Sequence, residues 1–426
     1  MADQELSPKA IATAVACTIG MMVSVVPFHI GTFPLFLQPV SQEFGWGRAT
    51  FATSLGVSAI FAALAAPFVG RAVDRLGARR LLLPAIVIYG LATMAQSQLS
   101  HSKPLFYLTY AVLGFSEAVA GPVAFAHLIS SWFSARRGLL LSLVIGAAPA
   151  VSIMIMAPVA HLLIANFGWR TAYVILGGII LVLGFPAMAF LLHEPPREGP
   201  QTSAGRAAAI AALPGKTLGQ VLASLTYWMI IAALVIHSLV VGGVRAHTVA
   251  LLTDRGLQIG VATLAVSLSA MAGLIGNVSA GILLDRVQTP KIAIPFFIAA
   301  LVGLLLLHHA TGAAPALAGA AILGFGIGAE SGIGPYFFSR YFGMRAFGAV
   351  YGCLVSLLAI SSAVGPVLLG LAFDRNKSYD RGLLIAEIGL AAGTVLVGLL
   401  GAYAYAARRA VAEPVATAPT AAQAGA

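Results

Sequence analysis

The sequence predicts an all-α membrane protein of twelve transmembrane helices in two pseudo-symmetric six-helix bundles. Three observations predict it. Only 9% of the 426 residues are charged and 59% are hydrophobic. Twelve apolar segments are each long enough to cross a bilayer. An internal repeat maps the first six segments onto the last six.

The composition is the first support. A soluble domain carries roughly 25% charged residues. So few charges cannot cover a soluble protein of this size, and a single soluble core stops growing near roughly 250–300 residues. The missing polar surface is therefore lipid-facing surface. Abundant glycine and alanine suit helices packed closely within a bilayer. The net charge of +10 would point to nucleic acid in a soluble protein. In a membrane protein it reflects basic cytoplasmic loops, so no nucleic-acid partner is expected. Cys17 and Cys353 lie in apolar runs, with neither metal-ligand spacing nor a disulfide framework. Residues Met1 to Lys9 are polar and mildly acidic, without a basic n-region or a small-residue cleavage site. The first apolar run therefore reads as a retained helix.

The segments are the second support. Crossing about 30 Å of hydrocarbon takes roughly 20 helical residues. Such runs lie near 11–38, 49–71, 81–98, 104–133, 137–166 and 170–192, then 224–252, 259–284, 291–310, 314–340, 346–373 and 382–407. The longest polar stretch, near 193–220, contains Glu194-Pro195-Pro196-Arg197 and divides six helices from six. The expected units are an N-terminal bundle over 1–192, a cytoplasmic central loop over 193–223, a C-terminal bundle over 224–409 and a disordered cytoplasmic tail over 410–426. With both termini inside, sixteen of the 24 Lys and Arg residues fall in inner loops and seven in outer loops. The remaining one, Arg245, is inside a span. That bias predicts a multi-pass protein of a bacterial-type inner membrane with both termini cytoplasmic.

The repeat is the third support. Gly70-Arg71-Ala72-Val73-Asp74-Arg75 ends the second span, and Gly281-Ile282-Leu283-Leu284-Asp285-Arg286 ends the eighth. Leu113-Gly114-Phe115 matches Leu323-Gly324-Phe325. Phe133 before Arg136-Arg137-Gly138 matches Phe342 before Arg345-Ala346-Phe347-Gly348, and Ala157-Pro158-Val159 matches Gly365-Pro366-Val367. Four matches, in order and at nearly one offset, describe two copies of a six-helix unit. Parallel repeats of this kind place a binding site near the midplane between the halves.

The run Gly70 to Arg80, with Arg79 closing it, resembles the signature loop of the major facilitator superfamily, and Gly281 to Lys291 resembles a degraded second copy. Within that superfamily the chain is similar to the monocarboxylate transporter branch, near the oxalate/formate antiporters. The residues carrying this are Glu43-Phe44-Gly45-Trp46-Gly47-Arg48-Ala49, Trp132-Phe133-Ser134-Ala135-Arg136-Arg137-Gly138 and Phe167-Gly168-Trp169-Arg170. The resemblance implies that Gly70, Asp74, Arg75, Arg79, Arg80, Asp285 and Arg286 gate the inner side. It also implies that spans 1, 4, 7 and 10 line a central cavity. One departure stands out. The branch often holds its carboxylate with an arginine in span 8, and that position here is Asn277.

A charge at a helix centre costs roughly 2.5–3.5 kcal/mol on insertion scales, so each one calls for a reason. Arg245 is the only Lys or Arg deep in a predicted span. A guanidinium stays protonated and can hold an anion bidentately; the bland alternative is an ion pair with Glu330. Glu330 in span 10 and Glu117 in span 4 can titrate and are the candidates for proton coupling. His29, His247, Asn277 and Tyr336 are further candidates for substrate contact, and plain helix packing is the alternative for each. Pro27 and Pro34 are expected to bend span 1, and Pro158 and Pro366 spans 5 and 11.

The expected function is proton-coupled transport of a small organic anion such as a monocarboxylate, by alternating access, in a monomer that needs no cofactor or metal. Proton-driven efflux of a drug-like or cationic compound is the alternative. Its usual glycine-rich run in span 5 is poorly matched by Gly146 to Pro158. No nucleotide loop, metal cluster or nucleophile–base pairing supports a membrane enzyme or receptor.

Overall fold

The structure is a computed structural model. It describes residues 7–133, 140–194, 215–287, 289–343 and 345–405, with the backbone alone at 67, 70, 71, 73–76, 123, 285, 331 and 348. Gly70, Asp74, Arg75 and Asp285 of the expected gates thus lie outside the described side chains. The described chain is helical apart from one isolated bridge between Gly215 and Gly343.

Span 1 is Pro8–Met22, a π-helical turn Val26–Ile30 and Phe33–Phe44. Span 2 is Arg48–Leu76 and span 3 is Ala78–Ala95. Span 4 is Lys103–Val119 followed by Pro122–Trp132. Spans 7 and 8 are Leu225–Asp254 and Ile259–Arg286, and span 9 is Ile294–His308. Span 10 is Ala313–Gly328 followed by Glu330–Phe342. Spans 11 and 12 are Phe347–Asn376 and Asp380–Gly398.

Spans 5 and 6 share one stretch, Ser142–Leu191. Among the described residues, eleven stretches are long and apolar enough to cross a bilayer, and this one has 50 residues. At 1.5 Å per residue that is roughly 75 Å of helix, more than twice the hydrocarbon thickness, so it holds two crossings. The chain turns between them at Gly168, with φ 77° and ψ 162°, a backbone region that favours glycine. The total is twelve, as the apolar runs predict. Helix continues through Pro158 and Pro366, whereas span 1 is interrupted around Pro27 by its π-turn.

The repeat has a packing cause. A Cβ on Gly114 would lie 2.0 Å from the Ser58 carbonyl oxygen, and one on Gly324 would lie 2.2 Å from that of Ser269. Span 4 thus presses on span 2 as span 10 presses on span 8, backbone against backbone, with glycine at the crossing of each half. No larger residue fits without separating the helices.

The buried side chains form three clusters. One, from Ala10 to Leu192, occupies the end of the first half that carries the chain termini. A second, from Val221 to Leu400, occupies the same end of the second half. The third joins both halves at the far end, where Phe36, Tyr173, Val244 and Leu369 belong to one core. The halves therefore share an apolar core at the far end and have separate cores at the terminal end.

Polar contacts reinforce the far end. Arg48, at the start of span 2, binds Asp254 of span 7 with both guanidinium nitrogens, at 2.5 and 2.9 Å. The Arg48 and Ala49 amides each donate to Asp374 of span 11 at 3.0 Å. That carboxylate caps the positive end of span 2. Gly47 makes room for it, since a Cβ there would sit 2.5 Å from Asp374 Oδ2. Ser267 of span 8 donates to the Met154 carbonyl of span 5 at 3.0 Å.

Candidate functional site

A cavity of about 380 Å³ lies between the halves. Spans 1, 4 and 5 line one side and spans 7, 8 and 10 the other. Its wall includes Val26 and Ile30 from the π-turn of span 1, and Ile145 and Gly146 from a second π-turn, Ser142–Ala147. Such turns interrupt the regular backbone ladder and recur at functional sites. Most of the wall is apolar. Its polar side chains are Arg245, Thr248, Ser269 and Asn277.

Among the described residues lining this cavity, Arg245 has the only ionisable side chain. It is exposed, and what it faces is the cavity. It forms no hydrogen bond or ion pair with another described residue. Glu330 is the acid whose charge reaches it. A guanidinium in this setting has five donors and no hydrogen-bonded acceptor among the described residues, an arrangement that could hold an anion. Asn277 sits opposite, on span 8, with its amide nitrogen 3.9 Å from where a Gly146 Cβ would be. Ser269, Gly273 and Asn277 recur every fourth residue and share one face of span 8. Thr248 follows Arg245 by one turn on span 7. Neither Ser269 nor Thr248 was singled out from the sequence, although this spacing is visible there.

Glu330 does not pair with Arg245. It opens the second segment of span 10, and its Oε2 lies 3.0 Å from Nδ1 of His237 on span 7. His237 is buried, with its ring 4.9 Å from that of Phe297. This pairing joins spans 7 and 10 within the second half, and nothing in the residue pattern singles out His237 among the histidines.

The remaining candidates lie away from the cavity wall. His29 is buried in the first half, edge-on to Tyr110 at 4.6 Å. Glu117 is half-buried near the break in span 4. Tyr336 lies at the terminal end of span 10, 5.8 Å from Tyr403 and beneath the Arg340 guanidinium at 5.3 Å. His247 is fully buried; its Nε2 donates to the Pro366 carbonyl at 2.9 Å, and Tyr379 donates to its Nδ1 at 2.8 Å. The carbonyl can only accept, so the proton must be on Nε2, which leaves Nδ1 to accept. Of the expected gates that are described, Arg80 and Arg286 are exposed. Arg79 is held within the first half: its amide donates to Glu194 at 2.7 Å and its guanidinium to the Ala189 carbonyl at 2.5 Å.

Two of the family-like motifs meet at the far end. The Trp169 indole donates to Glu43 at 2.6 Å, and Arg170 pairs with the same carboxylate. Among the described residues one group could offer metal donors: His308, His309 and Glu387 have ligand atoms within 4.8 Å of one another. Two of its members already bond each other. His308 Nδ1 lies 2.6 Å from Glu387, and the two imidazoles stack at 4.5 Å and 16°, so their lone pairs run side by side.

The Major Facilitator Superfamily model matches residues 11–366 of this chain. The multidrug resistance protein MdtL of Klebsiella pneumoniae subsp. pneumoniae is 24% identical over 390 residues, 89% of this chain and 90% of that one. Human monocarboxylate transporter 11 is 28% identical over 353 residues, 79% of this chain and 72% of that one. The uncharacterised MFS-type transporter YcxA of Bacillus subtilis is 26% identical over 172 residues, 40% of this chain and 42% of that protein. The crystal structure of a bacterial homologue of the human lysosomal transporter Spinster, inward-facing and occupied, superposes with a TM-score of 0.70. It is 13% identical and covers 92% of this chain and 97% of that one, a likeness of fold.

Proposed function

Because the chain belongs to the major facilitator superfamily, and so is a secondary transporter, we propose that it moves a small organic anion together with protons by alternating access. The observation that carries this reading is Arg245, the one fixed cation among the described residues of a mostly apolar cavity wall. A carboxylate would take the guanidinium fork, and the apolar wall would cover its carbon body. Glu330 and His237 would carry the proton. An anion entering alone changes the charge of the site by one; a proton taken by the Glu330–His237 pair restores it. That balance couples the two loads without a special relay. With the termini cytoplasmic, as the Lys and Arg bias supports, the closed far end faces outward.

The apolar wall and the similarity to MdtL favour a second reading, efflux of a drug-like compound. A thermal-shift series on purified protein separates them. A ligand at 100 times its Kd stabilises the folded state by about 2.7 kcal/mol. Carboxylates are expected to stabilise the wild type, and amphipathic cations are not. Arg245→Ala should weaken the carboxylate effect about 10- to 100-fold in Kd, the range for a hydrogen bond to a charged group. Stabilisation by cations, or a carboxylate effect untouched in Arg245→Ala, would decide for efflux.

A further inference from the structure

We propose that the far end is closed by a proton-sensitive latch, in which neutral His247 keeps Arg48 seated and protonated His247 releases it. The latch holds whichever substrate the cavity takes.

The connections run from one half to the other. Arg48 belongs to the first half. Its guanidinium stacks on Phe373 at 3.6 Å from the ring centroid, is clamped by Asp254, and donates to the Tyr379 hydroxyl at 2.7 Å. Tyr379 donates its single hydrogen to His247 Nδ1, and His247 Nε2–H is spent on the Pro366 carbonyl. The Tyr379 hydroxyl hydrogen and both ring nitrogens of His247 are taken up by these bonds, and His247 must be neutral for the chain to close. Among the described residues, Arg48–Asp254 is the one ion pair that joins the halves.

A second proton on His247 breaks the pattern. Nδ1 then has a hydrogen facing the Tyr379 oxygen. Tyr379 must turn its own hydrogen away, and a new positive charge stands one residue from the Arg48 guanidinium in a buried setting. The charged and titratable groups around His247 are Tyr379, Arg48 from span 2, Asp374 from span 11, and Asp254 from its own span. Two of these, Asp254 and Asp374, hold Arg48, and neither hydrogen-bonds His247; the Tyr379 oxygen can accept the new Nδ1–H only by giving up the bond its own hydroxyl donates, and it then stands between two cations. Arg245, on the cavity wall, is two residues from His247 on the same helix. The latch therefore sits directly behind the anion site, on the element that carries it.

The test measures opening of the far end in the full-length protein. Spin labels are placed at Gln42→Cys and Gln258→Cys, both exposed at the far end, with Cys17 and Cys353 replaced by Ser. Distance distributions are recorded in lipid nanodiscs between pH 8 and pH 5. The ratio of long to short distances should rise at least about tenfold on acidification, the effect of one hydrogen bond to a charged group. His247→Gln keeps one donor and one acceptor without titrating, and should flatten this response. Tyr379→Phe keeps the ring over Arg48 but removes the link, and should be more open at pH 8 with little further change. Glu330→Gln should leave the response intact, which separates the latch from the proposed coupling pair. A wild type that does not respond to pH overturns the proposal. So does a response that survives in His247→Gln, or one lost only in Glu330→Gln.

Discussion

Arg245 was legible as a candidate because one guanidinium stands in an apolar run of about thirty residues, where its cost demands a purpose. The partner of Glu330 was not legible. Which of two polar residues on span 7 meets span 10 depends on how the helices are rotated about their axes, and the sequence does not encode that locally. His247 shows the same limit. It lies two residues from Arg245 but on the opposite face, where it bonds to Pro366 and Tyr379 and not to the cavity. If Glu330 carries the proton, its loss should separate exchange from accumulation. Glu330→Gln keeps the shape and one hydrogen bond to His237. It is expected to bind a carboxylate within about a factor of three of wild type and to exchange labelled for unlabelled anion. Uphill accumulation should fall to background. Counterflow and gradient-driven uptake, measured on the same preparation, check this; accumulation at the wild-type level would remove Glu330 from the coupling step.

At the scale of elements, the number of spans and the repeat could be read from the sequence because hydrophobic length and glycine placement are local signals. The breaks could be read only in part. Pro27 marks the π-turn of span 1, whereas that of span 5 lies within an apolar run that reads as plain helix. Proline predicts interruption at Pro27, yet helix continues through Pro158 and Pro366. The paired contacts of Gly114 with Ser58 and Gly324 with Ser269 explain why the repeat is strongest there. Gly324→Val is expected to lower stability by about 1–3 kcal/mol, the usual cost of overpacking, with Gly114→Val alike. Gly178→Ala, where nothing lies within 4 Å of the added carbon, should be neutral or slightly stabilising, since alanine favours helix over glycine. Detergent-solubilised thermal melts compare the three. Equal melting points for Gly324→Val and Gly178→Ala would contradict the packing account.

At the scale of the whole molecule, one core shared at the far end and two separate cores at the other end leave the halves free to rock about the region between them. Packing within each half is untouched by that motion. What must break is the far-end set around Arg48, Asp254 and Asp374, and what must form is contact between the terminal ends, where the signature-loop residues lie. The cavity sits where the two arrangements differ, so a substrate there can reach either side in turn. An anion bound at Arg245 is expected to travel with a proton. Proteoliposomes with an interior pH dye and a radiolabelled monocarboxylate measure both fluxes at once. With the outside made acidic, the wild type should accumulate the anion and acidify the interior in a fixed ratio, and Arg245→Ala should abolish both together. Anion uptake that persists in Arg245→Ala, or that proceeds with no proton movement in the wild type, would contradict the account.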